Sequence, residues 1–182
     1  MEKKILMNLS RKIVCLALAL VMTCGASALA QSTSNTTGKL NVWTTASVVR
    51  DGRNSSSFNV MRVAKQKGFD RVVFEFDGEV PNYSVHFEKP PIEDYSGENL
   101  RMSGRAFVVV QFFTISYPDE NDAAKKIVDL PRNKVRAGLV TEIRNSEWFE
   151  GYLSFAIGLR KRTPFRVQQL SNPSRLVIDF KN

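Results

Sequence analysis

The sequence is poor in the residues that most often build reactive sites. It contains one histidine, His86, and two cysteines, Cys15 and Cys24, which both lie near the amino terminus. One histidine cannot supply a metal cluster, and removal of the first 30 residues would leave no thiol for a disulfide, a nucleophile or a soft metal site. Glycine-rich phosphate loops, HExxH pairs and nucleophile elbows are also missing. We therefore expect no cofactor, no metal and no catalytic residue.

Three carboxylates at alternate positions, Glu75, Asp77 and Glu79, are the strongest argument for an enzyme. Glycoside hydrolysis needs two carboxyl groups a few ångströms apart. However, alternate residues of a strand line one face, so charges are expected wherever that face meets water. His86 alternates in the same way with Ser84 and Glu88, which is typical of a surface strand. We predict that the protein is not an enzyme.

Residues 1–30 have the organisation of a secretory signal peptide. Four basic residues precede an uncharged apolar run, Ile13 to Cys24, and Ala28 and Ala30 provide the small side chains that signal peptidase requires. The run is shorter than the ~20 residues of a membrane-spanning helix. We expect cleavage after Ala30, export to the periplasm or beyond, and no membrane span in the mature protein. A retained anchor and a lipoprotein attached at Cys24 are the alternatives.

The remaining 152 residues are enough for one domain with its own core. A chain of this size buries roughly 68–70% of the surface that its unfolded form exposes. Residues 31–39 are polar and rich in serine and threonine, which predicts a flexible tether, and residues 40–182 form the predicted single domain. Of the net charge of +8, the leader carries +3 and the domain with its tether +5, so the mature protein is moderately basic.

An internal repeat dominates the domain. The segment Met61 to Asp77 (MRVAKQKGFDRVVFEFD) aligns without a gap with Phe165 to Lys181 (FRVQQLSNPSRLVIDFK). Five aligned positions are identical: Arg62 and Arg166, Val63 and Val167, Arg71 and Arg175, Val73 and Val177, and Phe76 and Phe180. Self-similarity at a fixed spacing indicates a repeated structural unit.

The second half of each copy alternates between apolar and other residues, as expected for a half-buried strand. The inward set is Val72, Phe74 and Phe76 in the first copy and Leu176, Ile178 and Phe180 in the second. We therefore predict an all-β fold, a pseudo-symmetric β-sandwich of two short-stranded sheets, in which Phe76 and Phe180 are both buried.

The segments around the repeats predict further strands. Residues 40–50 favour an extra strand, and residues 83–88 are predicted to form a hairpin with the strand at 71–77 through a turn at 78–82. Residues 106–116 are apolar on both faces, which predicts a central strand covered on both sides. Residues 118–138 are polar and contain at most a short helix near 122–130. Residues 142–149 and 151–160 predict two more strands.

Several of these segments resemble the AMIN-like domains of exported bacterial proteins, relatives of the AMIN module of cell-wall amidases. The similarity rests on GFDRVVFEF at Gly68 to Phe76, on FEG at Phe149 to Gly151 and on PFRV followed by PSRLVIDF at Pro164 to Phe180. It covers most of residues 59–182. The resemblance implies an extracytoplasmic β-sandwich of two related sheets. For AMIN modules it also implies peptidoglycan binding and delivery of partners to the cell envelope.

Arginine is the residue type that best fits a binding role. A planar guanidinium can donate two hydrogen bonds to one carboxylate of a peptide or an anionic glycan. The candidates are the repeated pairs Arg62 and Arg166 and Arg71 and Arg175, together with Arg160 and Arg162 at a predicted turn. The competing interpretation is pairing with Glu75, Asp77 or Asp179, which we expect for Arg71 and Arg175. Trp148, Phe149 and Tyr152 could stack on sugar rings, although aromatic residues are more typical of a core.

These observations give three functional hypotheses. The first is a non-catalytic module of the cell envelope that binds peptidoglycan or another anionic wall polymer. The second is a protein-interaction subunit of an envelope assembly, and the third is an envelope hydrolase. Export argues against nucleic acid as a partner.

Overall fold

The computed structural model describes residues 41–52, 54–116, 135 and 137–182. Within these ranges the chain forms ten strands and no helix. The strands are β1 (Val48–Arg50), β2 (Ser56–Gln66), β3 (Phe69–Gly78), β4 (Asn82–Glu88), β5 (Ala106–Phe113), β6 (Ile115–Ser116), β7 (Val140–Phe149), β8 (Tyr152–Leu159), β9 (Phe165–Leu170) and β10 (Ser174–Lys181). The predicted leader, the tether and the short helix near 122–130 all lie outside the described residues.

The strands form two sheets of five. The first sheet has the order β1-β4-β5-β8-β7 and the second has the order β6-β2-β3-β10-β9. Neighbouring strands run antiparallel except β2 and β6, which are parallel. The inner faces of both sheets contribute to one hydrophobic core. The prediction of an all-β sandwich is thus confirmed.

Phenylalanines from both sheets meet in the middle of this core. The ring of Phe74 in the second sheet lies 5.2 Å from that of Phe112 and 5.1 Å from that of Phe155, both in the first sheet. Tilted and edge-to-face contacts at such distances are favourable for aromatic rings. Phe76 and Phe180 are 1% and 0% exposed, as the alternation of the repeat predicted.

The two copies of the repeat lie side by side in the second sheet. The first copy forms the hairpin β2-β3, the second forms β9-β10, and β3 pairs with β10. In that ladder Val73 lies opposite Val177, its own counterpart in the repeat, so an approximate two-fold axis passes between them. The repeat therefore relates two halves of one sheet and not the two sheets of the sandwich.

The predicted hairpin between the strand at 71–77 and residues 83–88 is wrong. Residues 82–88 form β4, but β4 pairs with β1 and β5 in the first sheet. Val80 is 5% exposed and Pro81 is buried as well, because the chain passes from one sheet to the other at this point. A proline lacks the N–H that would continue a ladder next to β3.

Strand β5 is central and covered on both faces, as predicted. Val108, Val110 and Phe112 enter the main core. On the outer face Phe107 packs with Ile92 and Ala156, together with Leu100 and Met102. The cover on that side is thus the loop between β4 and β5.

The segment before β2 contacts both sheets. Val48–Arg50 joins the first sheet as β1, while Thr44 forms a bridge with Phe165 beside the second sheet. The expected extra strand is therefore divided between the two sheets. As a result, Trp43 lies next to β9.

Candidate functional site

Four of the six arginines predicted to bind ligand lie on the outer face of the second sheet. Arg71 and Arg166 are opposite Asp179 in the ladders of β10, and Arg175 is opposite Glu75. Arg62 lies on β2 opposite Val73. We call this surface the arginine face and define it by Arg62, Arg71, Arg166 and Arg175 with the carboxylates Glu75 and Asp179.

Asp179 is the centre of a buried ionic network within the arginine face. Arg71 donates from Nε and Nη2 to its two carboxylate oxygens at 2.7 and 2.9 Å, and Arg166 donates from Nε at 2.9 Å. Gln168 adds a hydrogen bond of 3.1 Å. The Asp179 side chain is 0% exposed, so these donors take the place of the water molecules that would otherwise bind the carboxylate. The hydrogen bond with Asp179 raises the pKa of Arg71 above its ordinary value, so its guanidinium stays charged.

This burial corrects one expectation from the sequence. Asp179 and Val177 alternate with the inward residues Leu176, Ile178 and Phe180, so the alternation predicts that they face outward, but they are 0% and 2% exposed. Strand β10 is flanked by β3 and β9, so long side chains from both neighbours cover its outer face. The expected pairing of Arg71 with a carboxylate is confirmed. Arg166 also pairs with Asp179, which is the competing interpretation of this predicted ligand-binding residue.

The approximate two-fold axis places Glu75 where Asp179 stands in the other half of the sheet. Arg62, the counterpart of Arg166, pairs with Glu75. Arg175, the counterpart of Arg71, was expected to pair but makes no ion pair with any described residue, and its Nε donates to the carbonyl oxygen of Pro173 at 3.1 Å. The Arg62 side chain is 53% exposed. This half of the face therefore presents the Arg62 guanidinium to solvent and leaves the half-buried Arg175 without a carboxylate partner among the described residues.

Aromatic rings lie beside the buried half of the arginine face. The Arg166 guanidinium carbon is 4.7 Å from the ring centroid of Trp43 and 5.3 Å from that of Phe69. The Arg71 guanidinium is 5.2 Å from Phe69. Such contacts stabilise a cation on a ring face. Sequence reasoning missed Trp43, because its place depends on a pairing with β9, remote in the sequence.

Arg160 and Arg162, predicted as one basic cluster, take part in different contacts. Arg162 lies on the ring of Phe87 with its guanidinium carbon 3.7 Å from the centroid. Arg160 donates from Nε to the carbonyl oxygen of Gly138 at 2.6 Å. Together with Arg105, Arg160 lines two cavities at the end of the first sheet. Nothing in the sequence pattern singled out Arg105, because it reaches Arg160 only through the pairing of β5 with β8.

The carboxylates considered for acid–base chemistry have structural partners. Glu75 pairs with Arg62, Asp77 accepts a bond of 3.3 Å from Asn59, and Glu79 accepts one of 2.6 Å from Asn54. Among the described residues, no three histidine, cysteine, aspartate or glutamate side chains gather that could hold a metal ion.

His86 lies on the outer face of the first sheet, with its Nε2 3.4 Å from the carboxylate of Glu88. Both side chains line a cavity of about 360 Å³ that also contains Glu147. The carboxylate of Glu147 accepts hydrogen bonds from Ser154 at 3.1 Å and Gln111 at 3.3 Å.

The three aromatic residues near the β7–β8 turn separate into two environments. Trp148 packs edge-to-face on Phe58, with centroids 6.1 Å apart. Phe149 and Tyr152 are 54% and 43% exposed, and Tyr152 contacts Phe113 at 5.7 Å. The core interpretation holds for Trp148 and is wrong for the other two. We call Phe113, Phe149 and Tyr152 the aromatic tip.

Comparison with known proteins identifies the domain. The model of the AMIN-like domain family matches residues 56–182, which include both copies of the repeat and nine of the ten strands. No match to a curated protein was found. Within the described part of the chain there is no helix long and apolar enough to cross a membrane.

Proposed function

Because the chain belongs to the AMIN-like domain family, we propose that it is a non-catalytic, exported module that binds peptidoglycan or another anionic polymer of the cell wall. The family points to an extracytoplasmic module associated with the cell wall, and its members are generally binding modules without catalytic activity. The signal peptide predicted at residues 1–30 would bring the domain to that polymer.

The observation that carries the proposal is the exposed half of the arginine face. Arg62 and Arg175 flank Glu75, and Arg175 makes no ion pair with any described residue, so its guanidinium can take an anionic ligand as its partner. Their guanidinium groups can donate paired hydrogen bonds to the carboxylates of peptide stems or acidic sugars. Arg71 and Arg166 have a different role, because they hold the buried Asp179. We assign Arg62 and Arg175 to ligand binding and Arg71 and Arg166 to support of the sheet.

Binding of this kind is expected to be moderate and sensitive to salt. Charges at an exposed surface are screened over about 8–10 Å at ordinary ionic strength. Solvent competes with a ligand for the Arg62 guanidinium, since this side chain is half exposed. The module would therefore act through many weak interactions along a polymer, and each of these interactions weakens as the salt concentration rises.

Co-sedimentation of the purified mature protein with sacculi tests the proposal. We expect the protein to pellet with the sacculi at low salt and to return to the supernatant as sodium chloride is added. Release of soluble wall fragments would contradict the non-catalytic assignment and direct attention to the cavity beside His86 and Glu147. A protein that stays in the supernatant at every salt concentration would overturn wall binding.

A second function, interaction with an envelope protein, is favoured by the aromatic tip. Phe149 and Tyr152 expose large apolar rings at the end of a hairpin, and aromatic residues are enriched in protein interfaces. Cross-linking in intact cells, followed by comparison of the native protein with a Phe149→Ser variant, tests this alternative. Recovery of one envelope protein with the native chain and not with the variant would support it.

A further inference from the structure

Two adjoining cavities at one end of the first sheet are lined by cations. The end is the one where β5 and β7 begin and β8 ends. The cavities measure about 520 and 370 Å³ and share Arg105 and Arg160, and Lys161 lines the smaller one. We call them together the basic groove.

The cations of the basic groove are not neutralised by the described residues. Arg105, Arg160 and Lys161 make no ion pair with any acidic side chain in the part of the chain that the structure describes. Two acidic side chains at this end, Asp70 and Glu142, are buried and accept hydrogen bonds from the backbone, and Asn182 also lines the smaller cavity. Asp70 binds the N–H groups of Leu139 and Val140, and Glu142 binds that of Ser103 at 2.7 Å.

The backbone that carries the two arginines is held firmly. The N–H of Arg105 donates to the carbonyl oxygen of Leu159 at 2.7 Å, and that of Arg160 donates to Leu139 at 3.0 Å. Ser103 accepts a hydrogen bond from the Thr141 hydroxyl at 2.6 Å. The carbonyl oxygen of Ser103 lies so close to Gly158 that any side chain at position 158 would overlap it. The backbone positions of both arginines are therefore fixed, and the Arg160 guanidinium is also held by its bond to Gly138, which lowers the entropy that a ligand must overcome.

The geometry points to a phosphate group as the ligand of the basic groove. A carboxylate has two oxygens in one plane, and one guanidinium can bind both of them. Arg105 and Arg160 instead lie just outside the paired ends of β5 and β8, with Lys161 beside them, and a tetrahedral phosphate has oxygens to accept from several directions. The Nε of Arg160 donates to the carbonyl oxygen of Gly138. The terminal N–H groups of Arg160 are therefore the ones that can donate to a phosphate.

The size and form of the groove favour a phosphate within a polymer. Each cavity lies in the range of roughly 300–1,000 Å³ that is typical of sites for small organic ligands, more than a single ion requires, and the two adjoin. We infer that the basic groove binds the phosphate and the neighbouring unit of a phosphate-bearing wall glycan. The source of the phosphate rests on the proposed function, whereas phosphate binding itself does not.

Titration with inorganic phosphate, followed by amide NMR at constant ionic strength set with sodium chloride, tests the site. We expect shifts at Ser103, Arg105, Thr141, Arg160 and Lys161, and about tenfold weaker binding for Arg105→Gln, because a charged hydrogen bond contributes that much. Arg105→Lys keeps the charge but not the planar fork. Its affinity for phosphate should therefore lie between those of the native protein and Arg105→Gln. The double variant Lys67→Gln/Lys89→Gln removes exposed charge outside the groove and should bind phosphate as the native protein does.

Absence of phosphate-dependent shifts at these residues, or equal weakening by the lysine variant, would overturn the inference. If sacculi still pelleted the protein through Arg62 and Arg175, the proposed function would survive that result. The source of the phosphate is tested with a phosphodiester glycan, the same glycan after removal of its phosphate, and vesicles of phosphatidylglycerol. Arg105-dependent binding to the phosphorylated glycan alone supports the wall polymer, while preference for the vesicles contradicts it.

Discussion

Asp179 and Glu75 occupy equivalent positions in the repeat but differ in their exposure to solvent. The Asp179 side chain is completely buried between Arg71 and Arg166, whereas Glu75 has an exposed partner in Arg62. Removing one member of a buried ion pair leaves uncompensated charge and costs about 3–5 kcal/mol. An exposed pair contributes about 0–1 kcal/mol. The same chemical change should therefore have very different effects at the two positions.

We predict that Asp179→Asn lowers the free energy of unfolding by about 3–5 kcal/mol and that Glu75→Gln lowers it by about 1 kcal/mol or less. Urea denaturation of the two variants measures this difference. Equal losses would show that Asp179 is not the buried centre of the arginine face.

Tyr83 gives a prediction for alkaline pH. Its side chain is 1% exposed, and burial raises the pKa of its hydroxyl, partly opposed by the hydrogen bond from Gln169. Because the folded protein holds this proton more tightly than the unfolded chain, the contribution to stability is complete below the ordinary pKa of tyrosine, about 10. This contribution to stability is lost as the pH rises through the raised pKa of Tyr83. A spectroscopic titration of tyrosinate should show one late step, and that step should be missing from Tyr83→Phe.

At the scale of the strands, the prediction from sequence was most successful where the pattern was local. Alternation identified β3 and β10 and the burial of Phe76 and Phe180, because a strand places successive side chains on opposite faces. The repeat also placed four arginines on one face. The sequence could not tell which sheet each strand joins, since pairings such as β3 with β10 connect remote segments. The wrong hairpin at 78–82 and the unnoticed Arg105 have this same origin.

The equivalence of the two hairpins can be tested with matched core substitutions. Phe76→Ala and Phe180→Ala should each lower the free energy of unfolding by about 3–5 kcal/mol, because both rings are fully buried. Chemical denaturation gives both values. A nearly neutral effect at one position would contradict the equivalent placement of the two copies.

At the scale of the whole molecule, export is the first requirement of the proposed function. We predict that the mature protein begins at Gln31 and carries no lipid, because Ala28 and Ala30 form a suitable cleavage site. The intact mass of the protein purified from its native host checks this. A mass that includes residues 1–30, or a lipid adduct on Cys24, would contradict it.

The arginine face determines which substitutions can test wall binding. Arg166 is a poor choice, since its removal would leave Asp179 with less compensation and would disturb folding. Arg62 and Arg175 can be replaced at smaller cost, because no fully buried carboxylate depends on either of them. The exposed pair Lys67 and Lys89 offers a control with the same change in net charge.

The most direct measurement is the fraction of protein that pellets with sacculi across a salt series, for the native chain, Arg62→Gln/Arg175→Gln and Lys67→Gln/Lys89→Gln. We predict that the arginine variant binds at least tenfold more weakly at low salt, since two charged hydrogen-bonding groups are removed, and that it depends less on salt. The lysine variant should follow the native curve. Native binding by a folded arginine variant, or equal weakening in both variants, would contradict recognition through the arginine face.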